Sequence, residues 1–388
     1  MLGTRGIVCA SQYGAASTWM FNLVARLVEL GREAVPRRLY VDELDAEAAR
    51  EMAAAGYFVA KSHVPGPILR GVIELVELPM VVTVRDPRDS VVSLMQRFGF
   101  EFRRALGDVR ASADALSALT IDDRKLLLRY EDGLTRQPAQ IAAVAAWLGI
   151  PISKRQQGRL AKELSQASVR ARILAWQESG GPKEGPEENP WEPETHWHEN
   201  HVGDGQIGKW AEILTPGQEA EVLQATRRYR EVFGYREADP APLEMPLDLT
   251  FNEGAAALRY LGEGFSAPEA WGIWTDSDEA TLRLPFASLS PRGRRISLDF
   301  VTGSALRHSR SPTVGEVSLD GEIIAEIRPG TGRTERIQVV ANLLPGVGGS
   351  MDIRLRFTEL RSPAELGEGP DQRRLGLGLI RLRVEERG

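Results

Sequence analysis

Thr4-Arg5-Gly6-Ile7-Val8-Cys9-Ala10-Ser11-Gln12-Tyr13-Gly14-Ala15-Ala16-Ser17-Thr18-Trp19 is the stretch on which the fold turns. Ile7 to Ala10 is a short apolar run and reads as a buried strand. Small and polar residues then form a turn. From Thr18 onward Trp19, Leu23, Leu27 and Leu30 recur every three or four positions, the spacing of one helix face. Strand, small-residue loop and helix together make a phosphate cradle. Loop N–H groups and the helix N-terminus converge on one spot, and the helix dipole favours an anion there. Ser17 and Thr18 add hydroxyl donors. No Gly-Lys-Ser/Thr closes the loop, so it is not a Walker A motif. Many α/β proteins contain such a unit, and alone it names no ligand.

Outward from that loop, strand and helix signals alternate. The first helix runs over 19–31 and a second, Ala/Glu-rich one over 44–55. Tyr57-Phe58-Val59-Ala60 is a short strand leading into Lys61-Ser62-His63-Val64-Pro65, and a helix over 68–75 follows. Met80-Val81-Val82-Thr83-Val84 is continuous and β-branched, as expected of a strand covered on both faces. It delivers Arg85-Asp86-Pro87-Arg88-Asp89 and a helix carrying Ser90 to Met95. Lys125 to Tyr130 is a further strand, and Pro138 to Leu148 a helix. This alternation implies an α/β fold, a parallel sheet flanked by helices. Ligands of such sheets bind beyond the C-terminal strand ends, where each of these strands leaves its polar cluster. Residues 178–205 read as a long loop, and Thr215 to Phe233 as one helix with Thr215 as N-cap and Pro216 at its first position.

Asp239-Pro240-Ala241-Pro242 reads as a linker. Beyond it the period changes to two, in Thr281–Leu284, Arg295–Val301, Glu316–Leu319, Glu322–Ile327, Arg336–Val340, Asp352–Phe357 and Leu379–Val384. Asp320-Gly321 marks a tight hairpin. The expectation is two domains: 1–239, and an all-β sandwich or jelly roll over 240–388.

The whole chain bounds what this assembly does. Its 388 residues carry a formal net charge of −6 with 42% hydrophobic residues, which fits a globular protein and argues against a general nucleic-acid binder. The single cysteine, Cys9, cannot form an internal disulfide and reads as a small buried apolar residue. No run approaches the roughly 20 apolar residues of a membrane span, and the N-terminus lacks a signal pattern. The cytoplasm is the expected compartment.

Three clusters carry candidate chemistry. His63 follows a strand and can serve as general base, with Lys61 stabilising negative charge on a leaving group; a hydrogen-bonded loop histidine and a solvated lysine is the plain alternative. Arg85 and Ser93 lie eight residues apart, so both can face one phosphate, whereas Arg88 and Asp89 also read as a solvated helix start. Gly203-Asp204-Gly205-Gln206-Ile207-Gly208-Lys209-Trp210 permits close backbone approach to a ligand, or is simply a turn. The histidines 196, 198 and 201 have neither strand nor helix spacing for a metal, and no metal is expected.

In order and spacing these elements resemble the sulfotransferases that use 3′-phosphoadenosine 5′-phosphosulfate (PAPS). That family's Thr-Tyr-Pro-Lys-Ser-Gly-Thr-Thr-Trp loop is similar to Ser11 through Trp19, and its Lys-Thr/Ser-His-Leu-Pro element to Lys61-Ser62-His63-Val64-Pro65. Its Arg-x7-Ser resembles Arg85 and Ser93, its Tyr-Glu-Asp resembles Tyr130-Glu131-Asp132, and its Gly-x-x-Gly-x-Trp resembles Gly205 to Trp210. The resemblance spans roughly residues 4–235. It implies His63 and Lys61 as catalytic residues. It implies cofactor contacts from Tyr13, Gly14, Ala15, Ala16, Ser17, Thr18 and Trp19, from Arg85, Ser93 and Tyr130, and from Gly205, Gln206 and Ile207. The product would be 3′-phosphoadenosine 5′-phosphate (PAP), and the partner a hydroxyl-bearing acceptor, a glycan or glycolipid. Two departures stand out: Gly14 occupies the place of the first-loop lysine, and Gly203-Asp204 that of a basic pair before the late glycine.

In the C-terminal half, Trp271 and Trp274 form either an aromatic sugar platform or core filling. This stretch resembles, more loosely, the accessory β-domains of bacterial glycan-modifying enzymes. Two further readings are a noncatalytic glycan-binding or scaffold protein with a degenerate transferase domain, and a P-loop-type kinase, which the missing Walker lysine opposes.

Overall fold

The structure, a computed structural model, describes residues 6–32, 35–181, 183–184, 190–235, 243–286, 294–303, 314–328, 335–343, 350–358 and 360–387. Contacts divide the chain into two units: Met1–Ile213 with Thr226–Tyr235, and Leu214–Ala225 with Arg236–Gly388. The proline linker at 239–242 lies outside the described residues.

The first unit is built on five parallel strands, β1 (Gly6–Ser11), β2 (Arg37–Tyr40), β3 (Phe58–Ser62), β4 (Met80–Val84) and β5 (Lys125–Arg129), in the order β2-β3-β1-β4-β5. Helices α1 (Ser17–Arg32), α2 (Ala46–Ala54), α3 (Pro67–Leu75), α4 (Pro87–Phe98), α5 (Phe102–Ser117), α6 (Pro138–Trp147), α7 (Lys154–Glu163), α8 (Gln166–Ser179) and α9 (Trp210–Ile213) surround it. Every residue of β1, β3 and β4 is buried. Side chains alternate between the two faces, as the pleat requires. Ile7, Cys9, Val59 and Val81 share a core with Leu23 and Leu27 of α1 and Ile141 of α6. Val8, Ala10, Ala60 and Val82 share the opposite core with Ile73 of α3 and Leu116 of α5. Cys9 is fully buried, and burial pushes its thiol up, out of the reactive range.

The residues that follow β4 are set by the start of α4. Asp86 caps the helix by accepting from Arg88 N, Pro87 occupies its first turn, and Gly99 ends it at φ 66°. Arg85 is thereby fixed at the junction of strand and helix.

Four elements of this unit carry little sequence signal. β2 is a short edge strand reading Arg-Arg-Leu-Tyr, α5 buries mostly small residues beside Leu106, Val109 and Leu116, and α7 and α8 bury only one or two residues each. The expected helix from 215 to 233 is two helices, α10 (Pro216–Ala225) and α11 (Arg227–Phe233), separated at Thr226 with φ −115°. α10 packs on the 3-10 turn Ala256–Tyr260 of the second unit to which it belongs. A Cβ at Gly217 would stand 1.6 Å from Gly254 O, so only glycine permits that approach.

The second unit pairs two antiparallel sheets. Its strands are β6 (Leu247–Thr250), β7 (Ile273–Trp274), β8 (Glu279–Pro285), β9 (Arg294–Gly303), β10 (Val314–Leu319), β11 (Glu322–Ile327), β12 (Glu335–Leu343), β13 (Ser350–Thr358) and β14 (Gly378–Arg387). One sheet runs β11-β10-β13-β8 and the other β12-β9-β14-β6, with β7 on β14. Ile353 and Leu355 of β13 meet Leu298 and Phe300 of β9 in one core, which is why these strands alternate. Asp320 and Gly321, at φ 49° and 90°, join β10 to β11. Among the described residues no helix is long and apolar enough to cross a membrane.

Candidate active site

Parallel pairing lines up the strand ends. Tyr40 sits beside Lys61, Ala10 beside Ser62, Ser11 beside Thr83, and Val84 beside Arg129. The polar clusters after β1, β3, β4 and β5 therefore meet on one edge of the sheet, with β1 at its centre.

Lys61 and His63 converge on the start of α1. Lys61 Nζ donates to Thr18 Oγ1 at 2.6 Å, and His63 Nε2 lies 3.3 Å from Ser17 Oγ. His63 Nδ1 lies 2.9 Å from Ser11 O. A carbonyl only accepts, so Nδ1 carries the proton and Nε2 presents its lone pair to the Ser17 hydroxyl. Burial, and next the Lys61 charge, push His63 down to about 3; burial and then Arg97 push Lys61 down to about 7. At neutral pH the imidazole is uncharged. Tyr13 covers it, its ring stacked at 4.1 Å.

Asp42, just beyond β2, holds the loop that follows β3. Its Oδ1 accepts from Ser62 Oγ at 2.8 Å, His63 N at 2.7 Å and Val64 N at 2.8 Å, and its Oδ2 accepts from Tyr40 OH at 2.8 Å. Burial opposes the ionised form, but the Val64 amide and the Tyr40 hydroxyl hold the carboxyl below its usual range.

A cavity of about 460 Å³ opens on the other side of the first loop. Of the residues expected at a cofactor, Gly14, Ala16, Trp19, Arg85, Ser93, Tyr130, Gly205 and Gln206 line it. Tyr13, Ala15, Ser17, Thr18, Lys61 and His63 are not on its wall, and Ile207 is 50% exposed. Arg85 is buried and stacks on Tyr130 at 4.2 Å. Its fork donates to Gly14 O at 3.0 Å and Gln206 O at 2.7 Å, while its buried Nε has no partner among the described residues. Gln12 Oε1 fixes the Arg85 backbone, accepting from Arg85 N at 3.1 Å and from the buried Tyr229 hydroxyl at 2.6 Å. Trp19 is anchored through Nε1 to Leu164 O at 3.2 Å.

The late glycine loop is tied to α4. Asp89 is 1% exposed, not solvated, and accepts from Gly208 N at 2.7 Å and Trp210 N at 3.2 Å. Arg88 stacks on Trp210 at 3.7 Å. The charged helix start is thus the anchor of the loop that closes the cavity. Asp89, Ser93 and Arg97 follow at four-residue spacing and all line the cavity. That spacing was the sequence signal for Arg97, which no motif contained.

The first loop has an unusual backbone. Gly14 has φ 79°, and a Cβ there would lie 3.3 Å from Ser90 Cα. Ala16, at the place where the resembling motif has glycine, has φ 63°. A left-handed alanine costs about 1–2 kcal/mol.

A second opening, of about 1030 Å³, borders β2 and is lined by Arg37, Arg38, Tyr40, Trp191 and His196 among others. Tyr40, on its wall, has its ring 6.2 Å from that of His63. His196 stacks on Phe21 at 4.6 Å, and among the described residues its buried Nδ1 has no partner, nor has Trp191 Nε1. His198 and His201 form a separate pair, 3.0 Å between Nε2 and Nδ1. Among the described residues no group of three or more His, Cys, Asp or Glu side chains could hold a metal ion.

A family model for the sulfotransferase domain matches residues 39–233, half of the chain, and the chain belongs to that family. Solved structures similar to it include a mouse sulfotransferase, SULT7A1, complexed with PAP, at 15% identity over 60% of this chain and 89% of that one, with a TM-score of 0.45. Retinol dehydratase in a complex with retinol and PAP is similar at 18% identity over 62% and 83%, with a TM-score of 0.41. A family 35 carbohydrate binding module from Clostridium thermocellum covers 36% of this chain and 97% of its own, at 12% identity and a TM-score of 0.23. Curated protein sequences show no match.

Proposed function

We propose that the first unit transfers a sulfuryl group from PAPS to a hydroxyl of a glycan or glycolipid. The observation that carries this is the meeting of Lys61 and His63 with Ser17 and Thr18 at the start of α1. A base and a cation stand there on a helix N-terminus that favours an anion.

The donor set of the 460 Å³ cavity fits such a nucleotide. Arg85, with an orphaned buried Nε, and Ser93 would hold the 3′-phosphate, and the rings of Trp19 and Tyr130 the adenine. The amides and hydroxyls of the first loop, with Lys61, would hold the 5′ end. When bound, PAPS supplies a sulfuryl group on an activated bridging oxygen. His63 Nε2 takes the proton of the acceptor hydroxyl, for which the Ser17 hydroxyl must first turn aside. Lys61 offsets the charge left on the bridging oxygen. The acceptor oxygen–sulfur bond forms as the bond from sulfur to the bridging oxygen breaks, and the products are a sulfate ester and PAP. As in phosphoryl transfer, the protein contributes position and charge stabilisation.

The opening along β2 supports a sugar acceptor. Tyr40, Trp191 and His196 give it aromatic walls against which a sugar ring could pack. We divide the roles at residue 240, with 1–239 as transferase and 240–388 as an accessory module. In the latter, Trp271 and Trp274 lie 4.7 Å apart, edge to face, and Trp271 Nε1 donates to Glu269. Their partial exposure favours a sugar contact there.

Thermal melting with PAP, with ATP and without ligand tests the reading first, since a nucleotide that binds the native state raises the melting temperature. PAP is expected to do so, and the absence of a shift refutes the proposal. Transfer of radiolabelled sulfate from PAPS across a panel of glycans follows. His63→Ala is expected to abolish transfer and retain PAP binding. PAP binding without transfer to any glycan is the outcome for a noncatalytic relative, the reading that Gly14 favours.

A further inference from the structure

Gly14 and Gly203-Asp204 leave the cavity without cations at two places where sulfotransferases carry them, yet the charge of a bound 5′-phosphate still has to be met. A cation outside every motif is available. Arg97 is on the last turn of α4, and its half-buried side chain lines the same cavity as Gly14. Its Nε donates to Asn200 O at 2.7 Å. It runs beside Gly203: a Cβ there would stand 3.3 Å from Arg97 Cδ, a tight contact.

With Nε tied, the two terminal nitrogens remain open to the cavity. Among the described residues none accepts from them, and no carboxylate pairs with Arg97. A guanidinium held in place without a counter-ion is a ready anion contact. Its charge reaches the reacting end of the site: after burial, it is the main influence that depresses Lys61, and it also acts on His63.

We propose that Arg97 contacts the 5′-phosphate of the donor nucleotide, supplying from α4 the positive charge that the first loop lacks at Gly14. This rests on the cavity being the donor-nucleotide site. The assignment is to the 5′ end, where Arg97 would act beside Lys61, because it shares the cavity wall with Gly14 and its charge bears on Lys61 and His63.

The experiment is calorimetric titration of the full chain with PAP, 3′-AMP and 5′-AMP, for the wild type, Arg97→Met and Arg97→Lys. The ratio of PAP to 3′-AMP affinity reads the 5′-phosphate contact alone. In Arg97→Met this ratio is expected to fall roughly ten- to hundredfold, the worth of a charged hydrogen bond. The affinity for 3′-AMP should stay within about twofold, and Arg97→Lys should retain most of the ratio. Equal weakening of PAP and 3′-AMP, or no change in the ratio, overturns the assignment while leaving the donor site standing. A wild type that binds none of the three nucleotides removes the donor site and this contact together. Should Arg97→Met fail to fold, Arg97→Gln takes its place in the comparison with Arg97→Lys.

Discussion

Replacing Asp42 by alanine tests whether one carboxylate holds the candidate base in position. Asp42 accepts from two backbone amides, His63 N and Val64 N, and from the hydroxyls of Ser62 and Tyr40. The hydroxyls can turn to other partners, but the amides cannot. Each buried amide left unpaired costs about 1–3 kcal/mol, partly relieved here because Asp42 itself is only half-buried, so the loss is about 3 kcal/mol. For a unit of this size that lowers the melting temperature by roughly 6–12 °C. Asp42→Asn separates geometry from charge. Its carbonyl oxygen can serve the same amides, and Tyr40 OH can reverse its bond, so about 1 kcal/mol should be lost. Urea denaturation of the three proteins gives these differences, and sulfate transfer gives the effect on His63, expected to fall with the alanine variant. The sign with pH follows from the depressed carboxyl: its stabilising contribution is present above the ordinary value of 3.8 and is lost as pH falls through the lower folded value. A cost under about 1 kcal/mol for Asp42→Ala would show that the loop is held by other means, and an Asp42→Asn cost equal to alanine's that charge and not acceptor geometry is what matters.

Asp89→Ala removes the acceptor of Gly208 N and Trp210 N, so hydrogen exchange at those amides should accelerate and PAP affinity should drop. Unchanged protection across 203–210 would show that the loop is held by other means. Lys61 titrates near 7 when folded and near 10.5 when free, so the unfolded chain binds more protons between those values and unliganded stability should rise with pH across that window. Lys61→Met should flatten this rise in a series of denaturant midpoints; an identical pH profile in both proteins would show that the lysine does not carry it.

How much of this was legible in the sequence depended on burial. β1 and β4 are covered on both faces, so Ile7 to Ala10 are apolar and Met80 to Val84 are apolar but for the β-branched Thr83, and both nearly announce their bounds. β2 is an edge strand whose arginines face outward or pair with carboxylates, and no periodicity marks it. The site behaves in the same way. Lys61, His63 and Arg85 stand in recognisable spacings because strand ends fix their backbone positions, and Ser93 because α4 starts directly after Arg85. Asp42, Tyr229 and Arg97 act from afar: Asp42 hydrogen-bonds to residues 20 to 22 positions later, Tyr229 reaches Gln12 across 217 positions, and Arg97 reaches Asn200 across 103. Contacts of that range have no local pattern. Asp89 shows the opposite failure. Its charge and its place in the first turn of a helix suggest solvent, but a buried acceptor for two loop amides is equally well served by a carboxylate.

Arg85, Arg97, Lys61 and His63 act on one another in sequence. Arg97 is lowered to about 10 by burial and by Arg85, Lys61 is lowered by burial and by Arg97, and His63 by burial and by Lys61. Each group is destabilised by the next, a cost that folding alone does not reward. An anion brought among them relieves every link: it favours the charged form of Lys61, supplies Arg97 with a counter-ion, and offsets the Lys61 charge that makes His63 a weak base. Ser17 on Nε2 and Tyr13 over the ring keep that base covered meanwhile. The missing charge at Gly14 therefore does not leave the site without cations. Lys61 on β3 and Arg97 on α4 remain, and an anion at the start of α1 would relieve their repulsion.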